Sequence, residues 1–429
     1  MVLAGWRRTL GVVRGFERFG PLRERPFRLL WLARTGSSVG DSLIPVALIW
    51  TVGHDLHGGP SGLGIVLAAN LIGGGLVTLA GGVWADRLPR RKVMIGADLM
   101  RVATQSTTAA LLFSNAAHVW QLAVLQGCAG ASAGFFNPAS LALVPQTVSG
   151  ERLQEANALI AFSQSATRIF GPSLSGLVIA FAGAGWVFSV DAGSFLFSVV
   201  FVAAMRVAPH ARPVAQRFWT DLADGWREVR RHRWLTAGFL GYAVGNIGIG
   251  AYIVVGGLVV IDNLGGAWAW GMILGAAACG ATVGGVIAYR IRPAHPVAAA
   301  FAIWTLTALP PLALIRPLPL PAVMAAAFAF GGSILVGNTL WETAMQQEVR
   351  PDRLARVASF DTLLSICLMP AGQLLAGVFQ AGIGVRATLL LAAMLMCLPN
   401  LAVVAFVREV REVRFVRSAL PAPGPAQAE

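Results

Sequence analysis

The sequence predicts an all-α integral membrane protein: twelve transmembrane helices in two six-helix, pseudo-symmetric bundles. Three observations lead there. The first is composition. Of 429 residues, 12% are charged and 56% are hydrophobic, and the mean hydropathy is +0.67. A soluble domain carries about 25% charged residues, so an ordinary water-soluble enzyme is excluded. A disordered chain is excluded too, because it needs low hydrophobicity and high charge. The second is a count of apolar runs, each near the ~20 residues that cross a hydrocarbon core. The third is an internal repeat of about half the chain length.

The apolar runs fall at 29–52, 61–84, 93–114, 119–144, 156–181, 185–205, 235–261, 267–289, 295–315, 319–345, 357–381 and 385–407. Many hold glycine and alanine, as in Leu71-Ile-Gly-Gly-Gly75 and Ala276-Ala-Ala-Cys-Gly280. Small residues let helix backbones approach closely in lipid, where apolar contact alone drives little association. A β-barrel would alternate over short segments instead. The expected organisation is a basic N-terminal segment (1–28), a first bundle (29–205), a link (206–234), a second bundle (235–407) and a tail (408–429). In the link, Phe218, Trp219, Leu222, Trp226 and Val229 recur at helical spacing, which reads as an amphipathic surface helix or, alternatively, a tether. Trp6, Leu10 and Val13 suggest a similar helix, and the Pro/Ala-rich stretch from Pro421 to Glu429 reads as disordered.

The repeat is a set of ordered matches. Val39-Gly-Asp41 aligns with Val244-Gly-Asn246, and Gly81 to Arg87 with Gly284 to Arg290. Asn137 aligns with Asn338, Glu151-Arg-Leu153 with Asp352-Arg-Leu354, and Gly176 with Gly377. The offsets are 205, 203, 201, 201 and 201. Two parallel six-span repeats describe a transporter whose site lies between the halves.

The net charge of +13 comes from 32 Arg and one Lys against 20 acids. With both termini cytoplasmic, 28 of the 33 basic residues fall in inner segments and two, Arg316 and Arg386, in outer loops. That asymmetry sets the orientation in a plasma membrane. It also removes a nucleic-acid partner, since the charge is spread with no binding motif. Tryptophans at the predicted span ends, such as Trp31, Trp84, Trp120 and Trp186, fit interfacial belts. Four cysteines lack CxxC spacing and lie in apolar runs, so no metal or redox motif is expected. His54-Asp55-Leu-His57 reads as a solvated loop. No Walker A, G-x-S-x-G or H-E-x-x-H sequence is present, so neither ATP drive nor an enzyme is expected, and no cofactor is called for.

Gly82-Val-Trp-Ala-Asp86-Arg87-Leu-Pro89-Arg90-Arg91 resembles the loop signature of the major facilitator superfamily, G-x-x-x-D-R-x-G-R-R. Phe27 to Trp31 with Gly40-Asp41, Asn137-Pro-Ala139 with Val144-Pro145, Gly171-Pro172 with Asp191-Ala192, and Arg356 to Ser359 resemble its macrolide and enterobactin exporter branch. Pro89 replaces the signature's second glycine. Ala123 stands where span 4 of the family carries arginine, so an arginine relay on that span does not carry over.

The resemblance implies a gating loop of Gly82, Asp86, Arg87, Arg90 and Arg91, with Asp98 and Arg101 paired at i, i+3 to brace it. A purely topogenic cluster is the alternative. Gly171, Pro172 and Gly176 resemble an antiporter motif, against an ordinary kink. Asp41 and Arg168 lie 13 and 12 residues into spans 1 and 5, roughly 18–20 Å from the inner surface at about 1.5 Å per residue. Embedded charges are costly and usually functional. The pair is a proton-coupling candidate or a permanent structural pair. Asp191 reads as an outer-end cap or pairing group rather than a proton site. Glu342 and Asp361 read as partners of Arg350, Arg353 or Arg356. Cavity candidates by fold resemblance are Ser42, Gln126, Phe135, Phe136, Asn137, Asn246, Tyr252 and Asn338. The expected function is proton-coupled export of hydrophobic or amphiphilic molecules by a monomer in lipid. An importer or facilitator of a polar metabolite, and a non-transporting sensor on the same fold, are the alternatives.

Overall fold

The computed structural model describes residues 20–85, 89–205, 226, 227, 229–349 and 351–413; the side chains of 79–85, 351–356 and 358–367 lie outside the description. The link residues Phe218, Trp219 and Leu222, the N-terminal residues Trp6, Leu10 and Val13, and the Pro/Ala-rich tail fall outside it as well.

The described residues are helical with no strand. The first bundle comprises α1 (Arg25–Trp50), α2 (Gly59–Ala85), α3 (Arg90–Phe113), α4 (Val119–Thr147), α5 (Leu153–Ala182) and α6 (Ala184–Ala204). The second begins with α7 (Arg233–Asn263) and α8 (Gly266–Arg290). Next comes α9, built from Pro296–Trp304, a 3-10 turn at Thr305–Ala308, and Leu309–Ile315. After α10 (Leu320–Glu348), the tract Pro351–Phe406 holds α11 and α12, divided at Gly384. Gly384 has φ 80°, a left-handed conformation that a residue without Cβ adopts freely. A short α13 (Arg408–Glu412) follows, and Glu409 accepts the Trp234 backbone N–H at 3.1 Å, capping the start of α7. Among the described residues, eight helical stretches are long and apolar enough to qualify as spans on those grounds alone, the α11–α12 tract counting as one; α1, α3 and α4 do not.

The two bundles meet at one end of the molecule. Opposite the end bearing α1's start and α12's finish, a single apolar core runs through both, from Leu43, Ile49 and Phe188 to Val255, Trp270 and Met396. At the terminal end the core splits. Phe27, Leu30, Met94, Phe136 and Leu143 form one cluster in the first bundle, and Trp234, Phe239, Phe301, Trp304 and Trp341 anchor another in the second. Phe162, Phe170, Phe181 and Phe406 are exposed, as suits side chains turned to lipid.

Glycine contacts make the seams. Gly171 abuts Ser42 of α1, the Pro172 carbonyl abuts Gly271 of α8, and a Cβ on Gly176 would meet the Trp268 Cα at 2.7 Å. The second bundle repeats this. Gly372 abuts the Ile247 carbonyl of α7, the Gln373 carbonyl abuts Gly64 of α2, and Gly377 abuts Ser61. The α5–α8 and α2–α11 seams are therefore pseudo-symmetric mates. Gly176 and Gly377, matched in the sequence repeat, hold equivalent places.

Candidate functional site

The charged site lies inside the first bundle, at mid-depth. Arg101 projects from α3, with only 4% of its side chain exposed. Its guanidinium lies over Phe195 of α6 (4.8 Å to the ring centroid) and Phe136 of α4 (5.2 Å). Such stacking holds a cation well where water is scarce. On its rim it meets Asp41 Oδ2 of α1 at 3.7 Å and Asp98 Oδ1, one turn back on α3, at 3.9 Å. Asp98 is buried and accepts from Ser198 Oγ of α6 at 2.6 Å. Asp41 is different: 55% of its side chain is exposed, so this carboxylate is open on the side away from Arg101.

A third carboxylate completes the cluster. Asp191 of α6 is fully buried and lies beside Gly40, where any side chain would overlap its Oδ1 and Ser194. Two carboxylates thus meet one guanidinium, and a third lies behind Gly40, an acid-rich cluster where burying charge is expensive.

This arrangement revises two sequence expectations. Asp41 pairs with Arg101 rather than Arg168. Arg168 is exposed on α5 and has no ion-pair partner among the described residues. Its place on the helix puts it one turn from Pro172, on the terminal side of the α5–α8 seam, while Asp41 turns to α3. Asp191 is no outer-end cap: α6 carries it eight residues in, at the level of the Asp41–Arg101 pair. The Asp98–Arg101 pair forms at its i, i+3 spacing, but it joins this central cluster instead of bracing the loop before α3.

Of the signature loop, Asp86 and Arg87 lie outside the described residues, and Gly82 lies in the stretch of α2 whose surroundings are not described. Arg90 donates to the Ala142 carbonyl of α4 at 2.8 Å. Arg91 donates to Val202 O at 3.0 Å and to Ala203 O at the end of α6. Helix C-termini leave carbonyls unpaired and carry partial negative charge, so Arg91 caps α6, while Arg90 ties α3 to α4 more than a turn before that helix ends. Glu342 is exposed, while its expected partners Arg350, Arg353 and Arg356, and the Asp361 side chain, are outside the described set.

The cavity candidates separate. Asn246 and Asn338 line a cavity of about 320 Å³ in the second bundle, with Tyr242, Ile253, Trp304 and Asn400. The Asn246 Nδ2 has no hydrogen-bond partner there. Tyr252 is buried against Trp270 and Phe330, behind the cavity wall that Phe330 helps to form. Ser42 donates to Val39 O of its own helix and packs on Gly171. Phe136 stacks on Arg101, Phe135 is half-buried, and Asn137 is exposed. Gln126 is fully buried, donating to Gln105 Oε1 at 3.3 Å and accepting from Asn70 Nδ2 at 3.3 Å. Sequence reasoning misses Asn70 and Gln105. The signal that could find them is an amide in each of three adjacent apolar spans.

A family model described as Major Facilitator Superfamily matches residues 30–371. The multidrug efflux pump Tap of Mycolicibacterium fortuitum is 26% identical over 407 residues, covering 89% of this chain and 96% of Tap. Macrolide efflux protein A of Streptococcus pyogenes is 24% identical over 395 residues, covering 86% and 93%. Among solved structures, the nucleoside transporter NupG superposes with a TM-score of 0.73 at 12% identity, over 89% of this chain and 99% of its own. A bacterial Spinster homologue described as inward-facing and unoccupied gives 0.62 at 13%, over 93% and 99%. The loop signature, the paired bundles, the matched glycine seams and the family model converge: this chain is a transporter of the major facilitator superfamily.

Proposed function

We propose that the protein is a proton-coupled exporter of hydrophobic or amphiphilic small molecules, working as a monomer by alternating access. The observation that carries this reading is Asp41. It is a mid-depth carboxylate, open on one side and held on the other by a guanidinium that Asp98 shares. A proton on Asp41 frees Arg101 to serve Asp98, and loss of the proton restores the pair. Embedded acids of this kind mark ion pathways. The joined and split ends supply the access change: with the termini cytoplasmic, the described state is closed outside and parted inside. The antiporter-like Gly171, Pro172 and Gly176 lie at a moving seam, as a role in exchange requires. The efflux-pump relatives support export over import.

Arg168, exposed beside the seam, suits the anionic portion of a substrate and remains the second coupling candidate. The importer reading draws its support from the second bundle, where Asn246, Asn338, Asn400 and Thr307 offer hydrogen bonds to a polar metabolite.

Proteoliposomes with an imposed pH gradient test the choice. The panel holds lipophilic antibiotics, siderophores and sugars, and wild type runs beside Asp41→Asn. Gradient-driven accumulation of a lipophilic compound that Asp41→Asn abolishes supports the exporter. Gradient-independent movement of a sugar refutes it.

A further inference from the structure

The charged cluster of the first bundle has an uncharged mate. Asn246 stands at the repeat position of Asp41. The offset of 203 that matches Gly81 to Arg87 with Gly284 to Arg290 also places Trp304 at Arg101 and Thr307 at Thr104. Side-chain bonds support that register: Thr104 Oγ1 donates to the Arg101 carbonyl at 3.0 Å, and Thr307 Oγ1 to the Trp304 carbonyl at 2.6 Å. Phe195, which lies under the Arg101 guanidinium, corresponds to Met396 at the offset of 201. Asn246, Trp304, Thr307 and Met396 all line the cavity of about 320 Å³. What the first bundle fills with paired charge, the second leaves open. Every described residue that lines this cavity belongs to the second bundle, and Trp304 and Thr307 bring it to α9, which packs on α10 and the α11–α12 tract.

The lining sets the chemistry of an occupant. No charged side chain lines the cavity among the described residues. A charged group entering it leaves water and finds no counter-charge, a heavy cost in a low dielectric. The occupant is therefore uncharged. Tyr242 and Trp304, with ring centroids 5.6 Å apart, and Phe330 supply flat apolar faces, while Met369 and Met396 adapt to a ring edge. The polar groups are of both kinds. Asn400 spends its NH₂ on the Met396 carbonyl at 2.7 Å and keeps its Oδ1 as an acceptor. Asn246 keeps a buried Nδ2 with no partner, a donor in need of an acceptor. A carboxamide or lactam answers both, with one C=O and one N–H. The cavity is near the small end of ligand pockets, which run from about 300 to 1,000 Å³. That is room for a ring system with its amide, not for a large drug whole.

We propose that the cavity inside the second bundle binds the uncharged aromatic-amide portion of the exported molecule, with Asn246 donating to its carbonyl and Asn400 accepting its N–H. As a statement about cargo this rests on the exporter reading above. As a statement about binding it does not, and binding is what the experiment reads.

That experiment is calorimetric titration of the purified full chain in lipid nanodiscs, with empty nanodiscs as the blank. The probes are naphthamide, naphthoate and naphthylmethylamine, which share a ring system and differ in charge. Wild type should bind the amide, and should bind the two ions about tenfold more weakly or not at all. Asn246→Asp, which restores the acid of the first bundle, should weaken the amide about tenfold and favour the cation. Asn400→Leu should weaken the amide to a similar degree, and Ile334→Trp should abolish binding by filling the cavity. No amide binding in wild type overturns the proposal. So does equal binding of the three probes, or an affinity that none of the three variants changes. Should Asn246→Asp fail to fold, Asn400→Leu and Ile334→Trp decide: unchanged affinity in both rejects the site. Naphthamide binding without transport of any lipophilic compound counts against the exporter and not against the pocket. Transport without naphthamide binding counts against the pocket alone.

Discussion

The two bundles share a backbone plan and differ in what they bury. Gly171, Pro172 and Gly176 make the same three contacts as Gly372, Gln373 and Gly377. One layer in, the likeness ends. Gly40 is pressed against Asp191 and Ser194, whereas a Cβ on its mate Gly245 would meet only the Leu395 carbonyl, at 3.9 Å. Asp41 becomes Asn246. The first bundle fills its middle with three carboxylates, a guanidinium and an amide chain. The second fills its terminal end with packed rings, Trp341 lying 5.3 Å from Trp234 and 5.8 Å from Phe301, and keeps an open cavity above them. The repeat keeps the glycine seams and lets the interiors differ: buried charge collects in one and an open cavity in the other.

The sharpest way to break this contrast is Arg101→Leu. It strands buried carboxylates, a loss of about 3–5 kcal/mol for a broken buried pair. A large drop in melting temperature is expected, with partial recovery when Asp98→Leu is added. In the second bundle, Asn246→Leu removes an amide whose Nδ2 is already unpartnered, so its melting temperature should change little or rise. Next comes the glycine pair. Gly40→Ala forces Asp191 and Ser194 apart, costing about 1–3 kcal/mol as overpacking does, while Gly245→Ala should stay within about 0.5 kcal/mol. Equal melting temperatures for these two variants would show that the layers are alike after all. Gln126→Leu should cost about 1–3 kcal/mol by leaving the buried Gln105 Oε1 without its donor, while Asn70 keeps its bond to the backbone carbonyl of residue 126. The smallest effect is Arg168→Gln. With no ion-pair partner to lose among the described residues, it should hold stability within about 0.5 kcal/mol, and any change should appear in uptake of anionic compounds.

Much of the framework is readable from periodicity and spacing. Twelve apolar runs, the Gly176–Gly377 match and the i, i+3 pair of Asp98 and Arg101 depend on local pattern, which a chain displays openly. The partnership of Asp41 with Arg101 does not. Asp41 and Arg168 sit at similar depths, and depth is all that a residue count supplies. Whether α1 turns Asp41 to α3 or α5 depends on its rotation, which is set by Gly36 against Phe197 and Gly40 against Asp191. Asp191 escapes for the same reason: its position near one end of a span suggests a cap, while the tilt and packing of α6 put it in the centre. The amides of Asn70, Gln105 and Gln126 are visible as polar residues in apolar runs, but only tertiary contact orders them into a chain.

The glycine seams have a kinetic side. Side chains such as Met or Gln lose up to about 2 kcal/mol of rotamer freedom when an interface traps them, whereas Gly, Ala and Pro lose essentially none. The α5–α8 and α2–α11 seams meet largely through backbone carbonyls and glycine Cα atoms. Parting them releases little disorder and rejoining them freezes little. In the proposed cycle the interface would work like a pair of smooth bearings, leaving the speed of the swing to whatever occupies the space between.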